Sequence, residues 1–316
     1  MRRAFSDALV KAAEDNPRII FLTGDLGFGV FDEFIAKFPR RYVNVGVAEA
    51  QLVDCAAGLA LEGWRPIVYS IASFMTGRAY EQIRLAVGYH GLPVLVVGAG
   101  GGYTYADAGV THHAKEDLAL MSLISGMTVV APGDPNEVTA LLPQLLKLDR
   151  PSYIRIGRFG EPRFEAPAPI AVGRGRLLRR GERVAVLTTG NAVIWALEAV
   201  ELLAKEGIRP ALCHFHTVRP LDVEALAAVV EWVDHLIVVE EHGAQGGLGA
   251  AIAGWCAANR TGPALHRLGP GDDLIIGNPK QAQLRKQGGF DADAIAVACR
   301  HLWQIADPPR VVDVAQ

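Results

Sequence analysis

The chain has 316 residues, of which 50% are hydrophobic and 21% charged, and its formal net charge is −3 at pH 7. This length suggests two domains with sizeable cores, and the charge gives no basic face for nucleic acid. No apolar run reaches the roughly 18 residues that a membrane span needs, and the polar, acid-containing start is not typical of a signal peptide.

The four cysteines are widely spaced, with no CxxC pair among them; they are Cys55, Cys213, Cys256 and Cys299. This usage is typical of reduced thiols. We therefore expect a cytoplasmic protein.

Strand and helix patterns alternate along the first half of the chain. Predicted strands cover 19–23, 43–45, 65–69, 93–97 and 128–132, and predicted helices cover 4–14, 50–61, 79–89, 118–123 and 135–148. Continuous Val, Ile and Leu runs between helices indicate a parallel sheet that is covered on both faces.

A second α/β series follows a stretch rich in proline and charge, residues 158–169, which we interpret as an interdomain linker. The series has predicted strands at 183–188, 210–214 and 235–239 and a long predicted helix at 193–206. The fold class is therefore α/β, with two consecutive open parallel-sheet domains at 1–165 and 166–316.

Glu49 lies at a strand-to-helix junction, between a β-rich segment (41–45) and an apolar, small-residue helix pattern that ends at Gly63. A carboxylate in such surroundings is expected to be at least partly buried, and buried carboxylates are usually paired or functional. The alternative is an ordinary acidic residue in a first helical turn, which the helix dipole favours. Spacing alone does not separate these two interpretations.

The motif around Glu49 resembles the pyrimidine-binding domain of the transketolase family, whose relatives include 1-deoxyxylulose-5-phosphate synthase and the β subunits of 2-oxo-acid dehydrogenases. The resemblance rests on four segments that occur in family order and span nearly the whole chain. They are Asn-Val-Gly-Val-Ala-Glu at 44–49, Ser-Phe-Met-Thr-Gly-Arg-Ala-Tyr-Glu-Gln-Ile-Arg at 73–84, Asp-Ala-Gly-Val-Thr-His-His at 107–113, and Val-Glu-Glu-His with Gly-Gly-Leu-Gly at 239–249.

The resemblance implies an active site that binds thiamine diphosphate, with Glu49 bonded to N1′ of its pyrimidine and Phe74 stacked on the ring. It implies catalytic roles for Glu49 and His112. The implied cofactor-binding residues are Glu49, Phe74, Asp25, Tyr80 and Arg78, and the implied substrate-binding residues are Arg3, Arg158, His112, His113 and Asp107. Without the resemblance, Phe74 would be read as the anchor of a helix start, and the two histidines as surface loop residues.

The family also holds the cofactor diphosphate and Mg²⁺ through a Gly-Asp-Gly…Asn motif, which this sequence lacks. The resemblance is therefore to the C-terminal subunit of a split transketolase. It implies that a separately encoded N-terminal chain carries the diphosphate and the Mg²⁺ (or Ca²⁺), in an α2β2 complex in which this chain also self-associates. It further implies that the isolated chain binds the cofactor weakly or not at all.

Three positions depart from the sugar-transketolase pattern. Ala108 stands where the family has a donor-reading aspartate, with Asp107 one residue early, Gly100 stands near a phosphate-binding histidine, and Gly29 replaces a serine. The loss of polar side chains that bind a substrate usually means that the enzyme recognises a different chemical group at that end of the substrate. We expect a specialised ketol transfer to an aldehyde acceptor.

Two other functions stay open from the sequence. One is a β subunit of a 2-oxo-acid dehydrogenase, or an enzyme similar to 1-deoxyxylulose-5-phosphate synthase. The other is a non-catalytic scaffold or regulatory subunit, which the joint presence of Glu49, Phe74 and His112 argues against.

Two further motifs are expected to be structural. The glycines at 98–102 lead into a loop and not into a helix, unlike a dinucleotide-binding fingerprint. His214 and His216 share a strand face without a third metal ligand nearby.

Overall fold

The computed structural model describes residues 1–158, 160–165, 169–260, 262–273 and 275–306. Parts of the predicted linker (159 and 166–168) and the last ten residues of the predicted second domain lie outside these ranges. None of the helices in the described ranges is long and apolar enough to cross a lipid bilayer.

Two sheets form the frame of the molecule. The strands are β1 (Ile19–Thr23), β2 (Tyr42–Asn44), β3 (Arg65–Ile71), β4 (Leu95–Ala99), β5 (Thr128–Val130), β6 (Ser152–Ile156), β7 (Arg176–Arg179), β8 (Arg183–Thr188), β9 (Ala211–His214), β10 (Thr217–Arg219), β11 (Val233–Val239) and β12 (Ala264–Leu268). The first sheet has the order β10-β5-β6-β4-β3-β1-β2 and the second the order β12-β11-β8-β9-β7.

Helices cover the faces of both sheets. They are α1 (Arg2–Asp15), α2 (Asp32–Lys37), α3 (Glu49–Leu61), α4 (Ala72–Arg78), α5 (Tyr80–Gln82), α6 (Asp117–Ser122), α7 (Pro135–Leu145), α8 (Ala192–Ala204), α9 (Val223–Val230), α10 (Leu248–Ala258), α11 (Gln281–Gln287) and α12 (Ala292–Ile305). A π-helical segment covers Ile83–Tyr89, and 3-10 turns cover Pro39–Arg41, Ala106–Ala108 and Val110–His112.

The predicted α/β class with two largely parallel sheets is confirmed. Each sheet carries one antiparallel edge strand that the sequence did not reveal, β10 against β5 and β7 against β9. The strand β6 was also missed, although it lies between β4 and β5 in the first sheet. The helix predicted at 79–89 begins earlier, with α4 at Ala72.

The alternation of side chains along a strand explains how the first sheet is covered on both faces. Ile67 and Tyr69 of β3 pack in the core beneath α1 and α7, while Val68 packs in the opposite core beneath α3. All pairings among β1, β2, β3, β4 and β6 are parallel, so these strands end at the same edge. Ligands of open α/β folds bind at that edge.

β10 comes from the chain after residue 166, yet it pairs with the first sheet. The predicted domain boundary at 165/166 stays a prediction. The first sheet extends across it, since one strand of that sheet comes from the predicted second domain.

Candidate active site

The Glu49 carboxylate is buried at the first turn of α3, with only 2% of the residue exposed. Its Oε1 accepts a hydrogen bond of 3.1 Å from the Ser70 hydroxyl, and Ser70 is itself fully buried near the end of β3. Its Oε2 accepts a bond of 3.1 Å from Nη1 of Arg78. The carboxylate is therefore partnered on both oxygens, as a buried charge requires.

Arg78 joins Glu49 to Phe74. The guanidinium carbon of Arg78 lies 4.0 Å from the centroid of the Phe74 ring, while the same group donates to Glu49. Half of the Arg78 side chain is exposed, so this arrangement opens to solvent. A flat group that carries N–H donors therefore fits between the phenyl ring and the buried carboxylate.

His112 borders the same place from the loop after β4. Its ring lies 4.9 Å from the Phe74 ring, and its Nδ1 lies 2.9 Å from the Thr111 hydroxyl. The backbone carbonyl of Thr111 accepts a bond from the Ser73 hydroxyl, which attaches the loop to α4. Burial, helped by the nearby positive charge of Arg78, lowers the pKa of His112, so its imidazole is neutral at pH 7.

Arg158 and Asp107 form an ion pair of 3.6 Å further along the same loop region. The Arg158 guanidinium also lies over the ring of Tyr105, at 4.8 Å, and that ring lies 5.9 Å from His112. The aromatic side chain of Tyr105 thus connects His112 to the Asp107–Arg158 pair. No motif in the sequence points to Tyr105.

The structure places Arg2, and not Arg3, beside Arg158. Nε of Arg2 donates to the Arg158 carbonyl at 3.0 Å. Arg3 points to solvent, with its side chain 71% exposed and paired with Asp7 one helical turn away. The assignment of Arg3 to substrate binding stays a prediction, and Arg2 is the neighbour that sequence reasoning missed.

Asp25 lies at the end of β1 in a left-handed conformation, with φ of 59°. Its backbone N–H donates to Oδ1 of Asn44, which also accepts from Gly46, and Nδ2 of Asn44 donates to Asp25. Asn44 therefore connects the segment that follows β1 to the segment between β2 and α3, which leads to Glu49.

His113 and Tyr80 pack against other side chains of the first domain. His113 is buried, with its Nε2 3.3 Å from the Ala106 carbonyl and its ring 5.1 Å from that of Tyr103. Tyr80 packs partly buried against the core beneath α3. Their predicted roles in binding stay predictions.

The glycine-rich segments allow side chains from elsewhere in the chain to pack directly against their backbone. A Cβ at Gly101 would collide with the side chain of Arg155, and one at Gly247 would collide with the Glu240 carboxylate. Arg155 is buried and donates to the carbonyls of Ala114 and Glu241, which holds the loop against the second domain.

His214 belongs to a buried ionic cluster between the two sheets. The Glu137 carboxylate accepts bonds from Arg176, at 2.5 Å, and from Nε2 of His214, at 3.0 Å. Burial opposes ionisation of Glu137, but the charge and hydrogen bond of His214 outweigh it and lower its pKa to about 2. Among the described residues, no group of three His, Cys, Asp or Glu side chains is arranged to hold a metal ion.

Comparison with known families agrees with this geometry. Residues 1–159 match the transketolase pyrimidine-binding domain, and residues 173–295 match the transketolase C-terminal domain. The chain therefore belongs to the transketolase family. Transketolases and 1-deoxyxylulose-5-phosphate synthases are thiamine diphosphate enzymes.

Within the family, the chain corresponds to the C-terminal section of a divided transketolase. It is 33% identical to a putative transketolase C-terminal section of Methanocaldococcus jannaschii, over 94% of both proteins. It is 37% identical to a 6-deoxy-6-sulfo-D-fructose transketolase subunit of Clostridium sp., over 86% of this chain and 85% of that subunit.

Two further comparisons are with an undivided enzyme and with a solved structure. It is 36% identical to 1-deoxy-D-xylulose-5-phosphate synthase 1 of Geobacter sulfurreducens over 93% of this chain, but it spans only 46% of that protein. A solved structure described as a split-gene transketolase in an inactive beta4 tetramer superimposes with a TM-score of 0.86, at 31% identity, over 97% of this chain and 98% of that one. The chain thus spans nearly the whole of the divided relatives but less than half of this undivided one.

Proposed function

We propose that this chain provides the pyrimidine-binding half of a thiamine-diphosphate-dependent enzyme that transfers a two-carbon ketol unit from a ketose-type donor to an aldehyde acceptor. The observation that carries the proposal is the Arg78 guanidinium between Glu49 and Phe74. An aminopyrimidine is likewise flat and carries N–H donors. The residues present therefore fit the cofactor, which supplies a carbanion-stabilising centre when bound.

Each residue of the site has a distinct task in this proposal. Glu49 holds a proton or hydrogen bond at a pyrimidine ring nitrogen, with Ser70 fixing the orientation of its carboxylate. Phe74 provides the stacking surface. When the pyrimidine binds, the Arg78 side chain moves away from Glu49 or shares the carboxylate with the pyrimidine. Nδ1 of His112 is 2.9 Å from the Thr111 hydroxyl, which leaves Nε2 as the ring nitrogen that donates to, or accepts from, a substrate hydroxyl according to the tautomer.

A partner chain completes the site in this proposal. It supplies the diphosphate and Mg²⁺ ligands. Three apolar side chains in the loops after β1, β2 and β4, those of Phe28, Val47 and Val110, are 80%, 71% and 51% exposed. Exposed apolar residues clustered at one site are typical of a contact surface. The solved relative is described as an inactive beta4 tetramer, which supports self-association of this chain and an α2β2 complex. Calorimetry of the isolated chain should show weak or no cofactor binding.

The decisive test combines this chain with the N-terminal chain from the same cells and measures ketol transfer in coupled assays. Glu49→Gln keeps the shape of the side chain but removes its charge. Turnover should fall by roughly 10²–10⁴-fold, the usual contribution of a positioned acid–base group. Glu62→Gln, at the exposed end of the same helix, is the matched control. A Glu49→Gln complex that keeps most of its turnover would refute the role.

A second candidate is a synthase-type or 2-oxo-acid dehydrogenase β-subunit activity. The 36% identity to 1-deoxy-D-xylulose-5-phosphate synthase over most of the chain supports it. Running the same complex with a 2-oxo acid as donor, with and without lipoamide, separates these activities from ketose-dependent transfer.

A further inference from the structure

The loop that carries His112 is closed at its base by a pair of backbone hydrogen bonds. The N–H of Gly102 donates to the carbonyl of Ala114, and the N–H of Ala114 donates to the carbonyl of Gly102, both at 2.9 Å. We call these two residues the loop base. His112 lies two residues before Ala114, so a displacement of the loop base also displaces the imidazole.

Arg155 of β6 joins the loop base to the second domain. Its Nη2 donates to the carbonyl of Ala114 at 2.8 Å and to the carbonyl of Glu241 at 2.9 Å. Glu241 follows β11 of the second sheet. One side chain of the first sheet therefore holds both the end of the loop and the neighbouring domain.

The guanidinium of Arg155 is itself held by a buried carboxylate. Its Nε lies 3.2 Å from Oδ2 of Asp117, and the same oxygen accepts a bond of 2.7 Å from the Tyr153 hydroxyl. All three side chains are buried. A buried guanidinium keeps such partners, because the loss of one leaves an uncompensated charge in the protein interior.

The second domain also contacts the loop base directly. Gly102 packs against the side chain of Glu241, where a Cβ would collide with it, and that carboxylate pairs with Arg285 at 3.3 Å. Tyr103, the next residue of the loop, packs in the core of the second domain. The loop that carries His112 therefore begins and ends on the second domain, although its sequence belongs to the first.

We propose that Arg155 is a positioning residue, which links the docking of the second domain to the place of the His112 imidazole beside the Phe74 ring. The proposal rests on the proposed ketol transfer, in which His112 contacts the substrate. A misplacement of about 1 Å in a group that orients a substrate can reduce the rate by about 10²-fold. Arg155 acts here only through the loop base.

The test uses Arg155→Met, which removes both carbonyl bonds and keeps a long unbranched side chain. Arg176→Met is the matched control, because Arg176 is likewise buried and joins the two domains, but through Glu137. In the two-chain complex with D-fructose 6-phosphate as donor, kcat should fall about 10²-fold in Arg155→Met and stay within about twofold of the wild type in Arg176→Met.

The pKa of His112 gives a readout that does not need turnover. Burial is the main cause that lowers this pKa from 6.5. Other charged or titratable groups that face the ring are Arg78, His113, Arg158 and Asp107. When the loop base is released, the imidazole gains water, so its pKa should rise towards 6.5 in Arg155→Met but not in Arg176→Met. NMR titration of isotope-labelled histidines in the full chain, with His112→Asn to assign the signal, measures this shift.

A lower kcat together with a raised His112 pKa in Arg155→Met alone supports the proposal. Equal changes in Arg176→Met overturn it in favour of a general loosening between the domains, and an unchanged His112 pKa in Arg155→Met overturns it outright. If Arg155→Met does not fold, Arg155→Lys keeps the charge opposite Asp117 but is too short to hold both carbonyls, and it should raise the same pKa. If the wild-type complex lacks ketol transfer, the proposed function fails, and the titration still decides whether Arg155 positions His112.

Discussion

The buried imidazole of His216 should make the stability of the chain strongly dependent on pH. His216 is fully buried between β9 and β10, with Nδ1 3.1 Å from the Thr217 hydroxyl, and Glu137, His214 and Arg176 face it. Burial lowers its pKa from 6.5 to about 4, although the charge of Glu137 opposes the shift.

The sign follows from proton binding in the two states. Between pH 6.5 and about 4 the unfolded chain binds a proton at this position that the folded chain does not bind. The stabilisation is therefore fully present above pH 6.5 and is lost as the pH falls through 4. A shift of this size corresponds to about 3 kcal/mol, of which about 2 kcal/mol is already lost at pH 5.

Urea unfolding at pH 7.5 and pH 5, at one fixed protein concentration, measures this contribution. His216→Asn cannot gain a charge, so its free energy of unfolding should fall about 2 kcal/mol less than that of the wild type over this interval. His90→Asn, at an exposed position, is the control and should behave like the wild type. Equal pH dependence of the wild type and His216→Asn would show that the buried ring does not carry the effect.

Two further substitutions test other parts of the molecule. Glu137→Gln leaves Arg176 buried without a full countercharge and should cost about 3–5 kcal/mol in urea unfolding, whereas exposed Glu198→Gln should stay within about 0.5 kcal/mol; similar values for both would show that the cluster is not stabilising. In the two-chain complex, Arg2→Met should raise KM for D-fructose 6-phosphate about tenfold and Arg3→Met less than about twofold, since only Arg2 contacts Arg158. The reverse order would support the role predicted for Arg3.

The sequence was most informative where site residues follow the ends of parallel strands. Asp25 follows β1, Glu49 follows β2, Phe74 follows β3 and His112 lies in the loop after β4. Because parallel strands end at one edge, a correct assignment of strands already brings these positions together. The fold class and the proximity of Glu49, Phe74 and His112 therefore follow from local pattern and family motif.

Other features depend on information that a local pattern does not carry. Arg2 and Arg3 differ by about 100° around a helix, so only the packing of α1 shows which one faces Arg158. The three-residue strand β10 is too short to produce a periodic signal. Asp107 and Lys280 come from distant parts of the chain but line one cleft, and only the docking of the two domains brings them together.

The antiparallel strand β10 limits how this gene could be divided further. It covers the edge of β5, and the side chain of Arg219, its last residue, donates to the carbonyls of Ser122 and Ile124 in the first domain. A fragment that ended at the linker would leave β5 with an unpaired edge, which promotes aggregation. The first sheet therefore depends on both halves of the chain, and a split that separates this pair of domains from the rest of a transketolase leaves the β5 edge covered.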